Sequence, residues 1–336
     1  MAALSRRRVA LCSAALALGA PFLGARPVQA GAFRRVVRLG VVTPIASALG
    51  QACRAFADAV ATVPALNDVL QIEVHPNGEV GSEVEMVKAC ASGALDLVFA
   101  TSNVVAAQVP ELGLLDAPFL FRDTVHAHAT LDGPIGQEFV GLLRDKGLHL
   151  LAWGENGVRH VTAGKPVRAP SDLHGVRIRV PQSEVMLEGF RALGAVPETL
   201  PFPQLFEALR LGRFEAQENP VATIVATHLE RVQRCLSMTG HAYSAAFFIA
   251  SPDLLEDLDD TQRAALSACA RIGAQASRDA ARRGEQEGVE QLRAASMAII
   301  EDVDRAALAT AAAPALDAAA RRLGADRARR IKAVQT

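Results

Sequence analysis

The chain has 336 residues, with Lys+Arg 35 against Asp+Glu 36 and a hydrophobic share of 50%. A balance so close to neutral lacks the basic stripe that nucleic acid requires, which excludes a nucleic-acid partner. Beyond the first thirty residues no segment reaches the roughly 20 consecutive apolar residues of a membrane helix.

Residues 1–30 read as a secretory signal peptide. Arg6, Arg7 and Arg8 precede an apolar stretch from Val9 to about Leu23, and Val28-Gln29-Ala30 presents small residues before Gly31. Gly19, Pro21 and Gly24 interrupt the run, which argues against a signal anchor. SRRRVAL also loosely matches a twin-arginine signal, with Val9 and Ala10 as weak fits, and Cys12 has no lipobox-like context. Export with cleavage near Ala30 therefore gives a periplasmic protein of about 300 residues, more than one small core usually organises, so two lobes are expected. Cys53, Cys90, Cys235 and Cys269 remain, without a CxxC or a framework spacing, and read as buried free thiols.

In chain order, VRLGVVT (37–43) is a β-branched strand, followed by a helical run carrying Leu49, Cys53, Phe56 and Val60. LQIEVH (70–75) is a second strand and PNG a turn; GSEVEMVKACASG is a helix with Ser82 as cap, and LDLVFA (95–100) a third strand. That β-α-β-α-β order predicts a parallel sheet with helices on both faces. After HLLAWGENG come VRHVTA, GVRIRV, a helix over 183–193, a short strand near 197–200 and a helix over 203–212. Residues 260–296 predict one long helix, capped by Asp259 or Asp260 and long enough to lie across two lobes; 305–334 is more helix. Lobes joined by crossing strands make a hinge architecture.

Catalytic motifs are missing: GxSxG, HExxH, a strand-borne GxGxxG and GxxxxGK[ST] are all absent from the sequence. His126 and His128 form an HxH, but TVHAHATL is helical in character, and positions two apart on a helix point about 200° from each other. Glu111, Asp116 and the EDLDD run (256–260) read as helix caps and solvated turns, and His75 as a strand-end residue. Neither an enzyme nor a metal or cofactor protein is expected.

The polar residues point elsewhere. Arg179 is the second-last residue of a strand closed by Pro181, and ligands of open parallel sheets sit beyond the carboxyl ends of strands. An arginine there can hold a carboxylate bidentately, while a solvated or salt-bridged strand face is the other reading, and the easier one for Arg177. Asn156 and Arg159 lie in WGENGVRHVT; Gln217, Glu218 and Asn219 directly precede Pro220. Proline restricts the residue before it, so Asn219 is either a fixed donor and acceptor for a ligand or an ordinary turn asparagine.

HPNGEVGSE, PELGLLDAPFLFRD (110–123), ENGVRHVT (155–162), DLHGVRIRVPQSEV (172–185), ALGAVPETLPFPQLFEALRLG (192–212) and AQENP (216–220) occur in a linked order along nearly the whole mature sequence. In this the chain resembles the solute-binding proteins of tripartite ATP-independent periplasmic (TRAP) transporters, the DctP family. The resemblance implies an α/β, two-lobed periplasmic-binding-protein-like fold with a hinge, a central cleft and a long helix spanning both lobes. Lobe I would take 31–156 plus about 245–284, and lobe II 157–244 plus about 285–336. It implies capture of a small organic acid for delivery to the small and large membrane permease components, with presentation to a membrane sensor kinase, or enzymatic action on organic acids, as the alternatives.

By motif position the resemblance makes Arg179 the carboxylate clamp, Asn219 its brace and Arg159 a second cationic contact. Gln182 and Phe202 would line the pocket, and Thr101 and Glu83 would be first-lobe positions that vary with substrate. An anionic Glu83 suits ligand hydroxyls better than a second ligand carboxylate. Two departures bear on pocket shape: Glu215 and Ala216 replace the family's DG before QENP, which puts the turn geometry in question, and Phe206 stands where tyrosine is common.

Overall fold

The structure is a computed structural model and describes residues 34–336; the expected signal peptide lies outside the described residues. Nine strands form one mixed sheet: β1 (Arg35–Gly40), β2 (Leu70–His75), β3 (Leu97–Thr101), β4 (His149–Ala163), β5 (Arg177–Val180), β6 (Val196–Thr199), β7 (Ala216–Pro220), β8 (Cys235–Ala250) and β9 (Ala298–Ile300). The strand order is β2-β1-β3-β8-β4-β7-β5-β6, with β9 beside β8. The expected parallel pairing holds within β1–β3 and within β5–β7, but β8 and β4 at the centre run antiparallel to each other and to β3 and β7, while β9 lies parallel to β8. The sheet is therefore mixed rather than parallel throughout.

Those two long central strands make the molecule two-lobed. The far end of β8 (246–250) pairs with β3, while the far end of β4 (159–163) pairs with β7. β4 and β8 pair with each other along their whole lengths, through register shifts at 150/152, 155/157 and 159/161. Extra residues of this kind bend a strand and increase its twist, so the path turns as it passes from one half-sheet to the other. Gly157 holds φ +126 in the middle shift, and a Cβ there would stand 3.0 Å from the Pro220 ring, so glycine is required twice over.

The helices are α1 (Ala48–Thr62), α2 (Glu83–Ala91), α3 (Ser102–Val105), α4 (Thr124–Leu131), α5 (Pro134–Arg144), α6 (Glu184–Ala192), α7 (Leu205–Arg210), α8 (Val221–Ala226), α9 (Pro252–Glu256), α10 (Asp260–Ala294), α11 (Arg305–Leu323) and α12 (Ala325–Ala333). Ser82 caps α2 as expected, with Glu85 completing a capping box, and Asp259 caps α10 with Gln262 in the same way. At 35 residues α10 is about 50 Å long. Small residues let it lie close to both halves: a Cβ on Gly273 would meet Ala52 O of α1 at 2.8 Å, and one on Gly284 would meet Ala222 Cβ of α8 at 2.5 Å. The C-terminal helical stretch breaks at Gly324, where φ is +137.

Cys53, Cys90, Cys235 and Cys269 are buried free thiols, as expected. In the first half, Phe248 of β8 stacks on Phe99 of β3 at 4.0 Å between centroids and meets Phe56 of α1 at 5.2 Å. All three side chains are fully enclosed and join strand, neighbouring strand and helix in one core. Phe248→Ala should lower unfolding stability by about 3–5 kcal/mol; urea denaturation checks this, and a loss under about 1 kcal/mol would mean the aromatic stack does not organise this core.

Candidate functional site

The carboxyl ends of the strands from both halves face one pocket with about 320 Å³ of space between atoms, part of it open to solvent. Thr43 comes from the segment after β1, Thr101 from the end of β3, and Glu83 from the first turn of α2. Arg179 and Asn219 are the second-last residues of β5 and β7, Asn156 and Arg159 come from β4, and Phe202 from the turn after β6. This is where ligands of open α/β sheets bind, and the two arginines of β5 are placed differently with respect to it. Arg177, two residues earlier on the same face but at the amino end of β5, is exposed and pairs with Glu215 at 3.3 Å. Arg179 is 2% exposed and faces the pocket.

The guanidinium of Arg179 donates through Nε and Nη2 to the Leu200 carbonyl at 2.9 and 2.6 Å, and stands 5.9 Å over the Phe202 ring. Among the described residues no carboxylate lies within salt-bridge distance of it. Burial pulls its pKa down to about 10, against the raising influence of Glu218 and Glu83, so at neutral pH it remains a cation. One edge of the fork is anchored on a neutral carbonyl, and Nη1 is left for something else.

Arg159 is buried just as deeply, but its charge is matched. Its Nε and Nη2 hold both carboxylate oxygens of Glu218, the second at 2.8 Å, and Nη2 also reaches the Glu218 carbonyl at 2.8 Å and Asn219 Oδ1 at 3.3 Å. His241 Nε2 lies 3.1 Å from the same carboxylate, and its Nδ1 is 2.8 Å from Thr239 Oγ1. Burial pushes the Glu218 carboxyl up, yet the Arg159 charge and the hydrogen bonds from His241 and Arg159 outweigh it and leave the pKa lowered. Asn219 donates to Gln217 Oε1 at 2.6 Å, and Gln217 donates to Thr162 at 2.7 Å, so its amide is held in place on the strand.

On the opposite wall Glu83 Oε1 accepts from the Thr101 backbone N–H at 2.7 Å and lies 2.9 Å from Thr101 Oγ1. Thr101 Oγ1 is also 2.9 Å from Asn103 Oδ1, and one hydroxyl proton cannot serve two acceptors. The count closes when Glu83 is protonated or Asn103 presents its amide nitrogen. Burial pushes Glu83 up to about 7 despite the Thr101 hydrogen bonds.

Of the residues expected at the site, Arg179, Asn219, Arg159, Phe202, Thr101 and Glu83 all line the pocket. Gln182 does not: it is exposed, because Arg179 and Pro181 face inward and the next residue points away before Ser183 caps α6. Ala216 sits in a regular strand paired with Ala163 and Ile178, so no turn needs glycine's freedom there. Glu215 accepts from the Arg177 backbone N–H at 3.2 Å and ties β7 to β5. Asp116 is no solvated turn residue: it is buried, accepts from Ser102 Oγ at 2.5 Å, and its second oxygen has no partner among the described residues. The HxH pair separates as helix geometry requires, with His126 turned to Ile331 O and His128 to Glu155. Thr43, Asn103 and Thr223 also line the pocket; only the placement of Thr43 and Asn103 just after strands could have signalled two of them.

A cleft at the strand ends of two half-sheets, joined by crossing strands and lined by buried polar groups, defines a two-lobed binding protein. The chain belongs to the DctP family, bacterial extracellular solute-binding protein family 7, whose profile matches residues 39–322. It is 34% identical over 243 residues to the 2,3-diketo-L-gulonate-binding periplasmic protein YiaO of Escherichia coli, covering 72% of this chain and 74% of that one. A TRAP periplasmic solute-binding protein from Polaromonas sp. JS666, bound to D-erythronate, matches with a TM-score of 0.87 and 34% identity, over 90% of this chain and 99% of that one. Another from Bordetella, with density assigned to pantoate, matches with a TM-score of 0.86 and 32% identity, over 90% and 100% of the two chains.

Two buried acids, Glu83 in the pocket and Asp116 outside its lining, give the protein a pH signature. Burial pushes Glu83 and Asp116 each up to about 7, from ordinary values of 4.5 and 3.8. Both ionise at lower pH in the unfolded chain, so through the window between those values and about 7 unfolding releases protons and stability falls as pH rises. In ligand-free protein, Glu83→Gln and Asp116→Asn should therefore gain stability relative to wild type between about pH 5 and pH 8, read by urea unfolding at both. A gap independent of pH would show that these carboxyls ionise normally.

Proposed function

We propose that the protein captures a small organic acid between its two lobes in the periplasm and passes it, chemically unchanged, to the small and large permease components of a TRAP transporter. One observation carries this reading: Arg179 is 2% exposed, holds only a neutral carbonyl, and faces a pocket. A buried charge without a counter-charge is costly, and a ligand carboxylate supplies one along with the acceptor oxygens that a guanidinium fork fits. The relatives support it, since 2,3-diketo-L-gulonate, D-erythronate and pantoate are all carboxylates.

In this reading Arg179 clamps the carboxylate and Asn219 braces it. Arg159 contributes hydrogen-bond donors rather than net charge, because Glu218 already neutralises it. Phe202 walls the pocket beside the clamp, and Thr101 and Glu83 contact the rest of the ligand. Lobe I comprises 31–156 plus about 245–284, and lobe II 157–244 plus about 285–336, with the strand crossings of β4 and β8 as the hinge. Ligand contacts made by both lobes favour the closed form, and that differential affinity is what would drive closure. Export would remove residues 1–30 near Ala30.

The test is a thermal-shift screen of the purified protein against a panel of organic acids, beside Arg179→Ala. At least one acid should raise the wild-type melting temperature by mass action. The variant should lose about 2–5 kcal/mol of the binding free energy and with it most of the shift. An acid that stabilises wild type and a folded Arg179→Ala equally would remove Arg179 from the site.

A further inference from the structure

The substrate class follows from charge and hydrogen-bond capacity in this pocket, given the reading of Arg179 as a carboxylate clamp. We propose that the pocket selects a small hydroxylated monocarboxylate over a dicarboxylate, with Glu83 reading the ligand's hydroxyls and turning away a second carboxylate.

Two cations line the pocket, Arg159 and Arg179, and Glu218 matches the first. One positive charge is left, enough for one ligand carboxylate. The opposite wall offers Glu83, Thr101, Asn103 and Thr43 and no cation. A second carboxylate reaching that wall would lose its hydration, find no counter-charge and face the Glu83 carboxyl. Repulsive groups of this kind separate similar ligands as effectively as attractive ones.

A ligand hydroxyl meets the reverse situation. Thr101 occupies Oε1 of Glu83, while Oε2 has no hydrogen-bond partner among the described residues and is not sealed from the pocket. It is an acceptor awaiting a donor, and a hydroxyl is a donor where a carboxylate is not. Asn103 and Thr43 beside it supply acceptor and donor atoms for further hydroxyls. Glu83 is also partly protonated near neutrality, so it can accept from one hydroxyl or donate to another, as burial pushes it up to about 7. Val42, Leu49 and Phe202 supply apolar lining beside these polar groups.

Calorimetric titration of the purified protein with three four-carbon acids separates charge from hydroxyl content: butyrate, D-erythronate and succinate, near pH 8 to keep Glu83 largely ionised. D-erythronate should bind at least about tenfold tighter than either of the others. In Glu83→Gln its advantage over succinate should shrink about tenfold. Succinate binding as tightly as D-erythronate to wild type, or an unchanged ratio in folded Glu83→Gln, would overturn the inference. If Glu83→Gln does not fold, the wild-type ranking alone decides. The clamp reading fails separately, if none of the three acids binds or if folded Arg179→Ala binds them as wild type does.

Discussion

A guanidinium buried against a single carbonyl is the constraint on which the rest of this structure turns. Arg159, in the same pocket, shows what the fold does with a buried arginine whose charge it matches: it supplies a carboxylate, orients that carboxylate with a histidine, and fixes the histidine with a threonine. Arg179 receives none of these. The contrast between two arginines in one pocket separates a charge matched within the scaffold from one that, among the described residues, has no carboxylate partner, and the proposed function rests on that difference. The scaffold pair also screens the site, so the electrostatics a ligand meets are dominated by Arg179 and Glu83.

The architecture explains why these groups meet. Each half-sheet is parallel near its edge, so its strand ends collect on one side, and the antiparallel pair β4 and β8 sets the two collections face to face. Register shifts and Gly157 let that pair bend between them, while α10 runs beside both halves on its small residues. Bending strands and a continuous helix allow a limited, directed movement rather than free separation. A cleft that opens and closes about such a connection can bury a ligand's charge and later return it to water.

Much of this was legible in the sequence because it rests on local signals. β2 ends where the alternation of LQIEVH ends, and Ser82 and Asp259 cap helices for the reasons their side chains allow. The placing of Arg179 at the pocket was legible because an arginine near the carboxyl end of a strand has a directional meaning. What escaped depends on distant partners. AQENP resembles a turn, and becomes a buried strand only because β4 and β5 pair on either side of it. β8 lacks one clean alternation, since parts of it are covered on both faces. That Arg159 is neutral in effect could not be read from its own segment, because Glu218 stands 59 residues away. Gln182, which the resemblance puts in the pocket by motif position, follows the inward-facing Pro181 by one residue and is exposed to solvent.

The most direct test of the central claim is a crystal structure of the protein with D-erythronate bound. The expected result places the ligand carboxylate on the Arg179 guanidinium at about 2.7–3.0 Å, with the Asn219 amide beside it and the Arg159–Glu218 pair intact. A ligand whose carboxylate sits elsewhere, with Arg179 still holding only the Leu200 carbonyl, would contradict it.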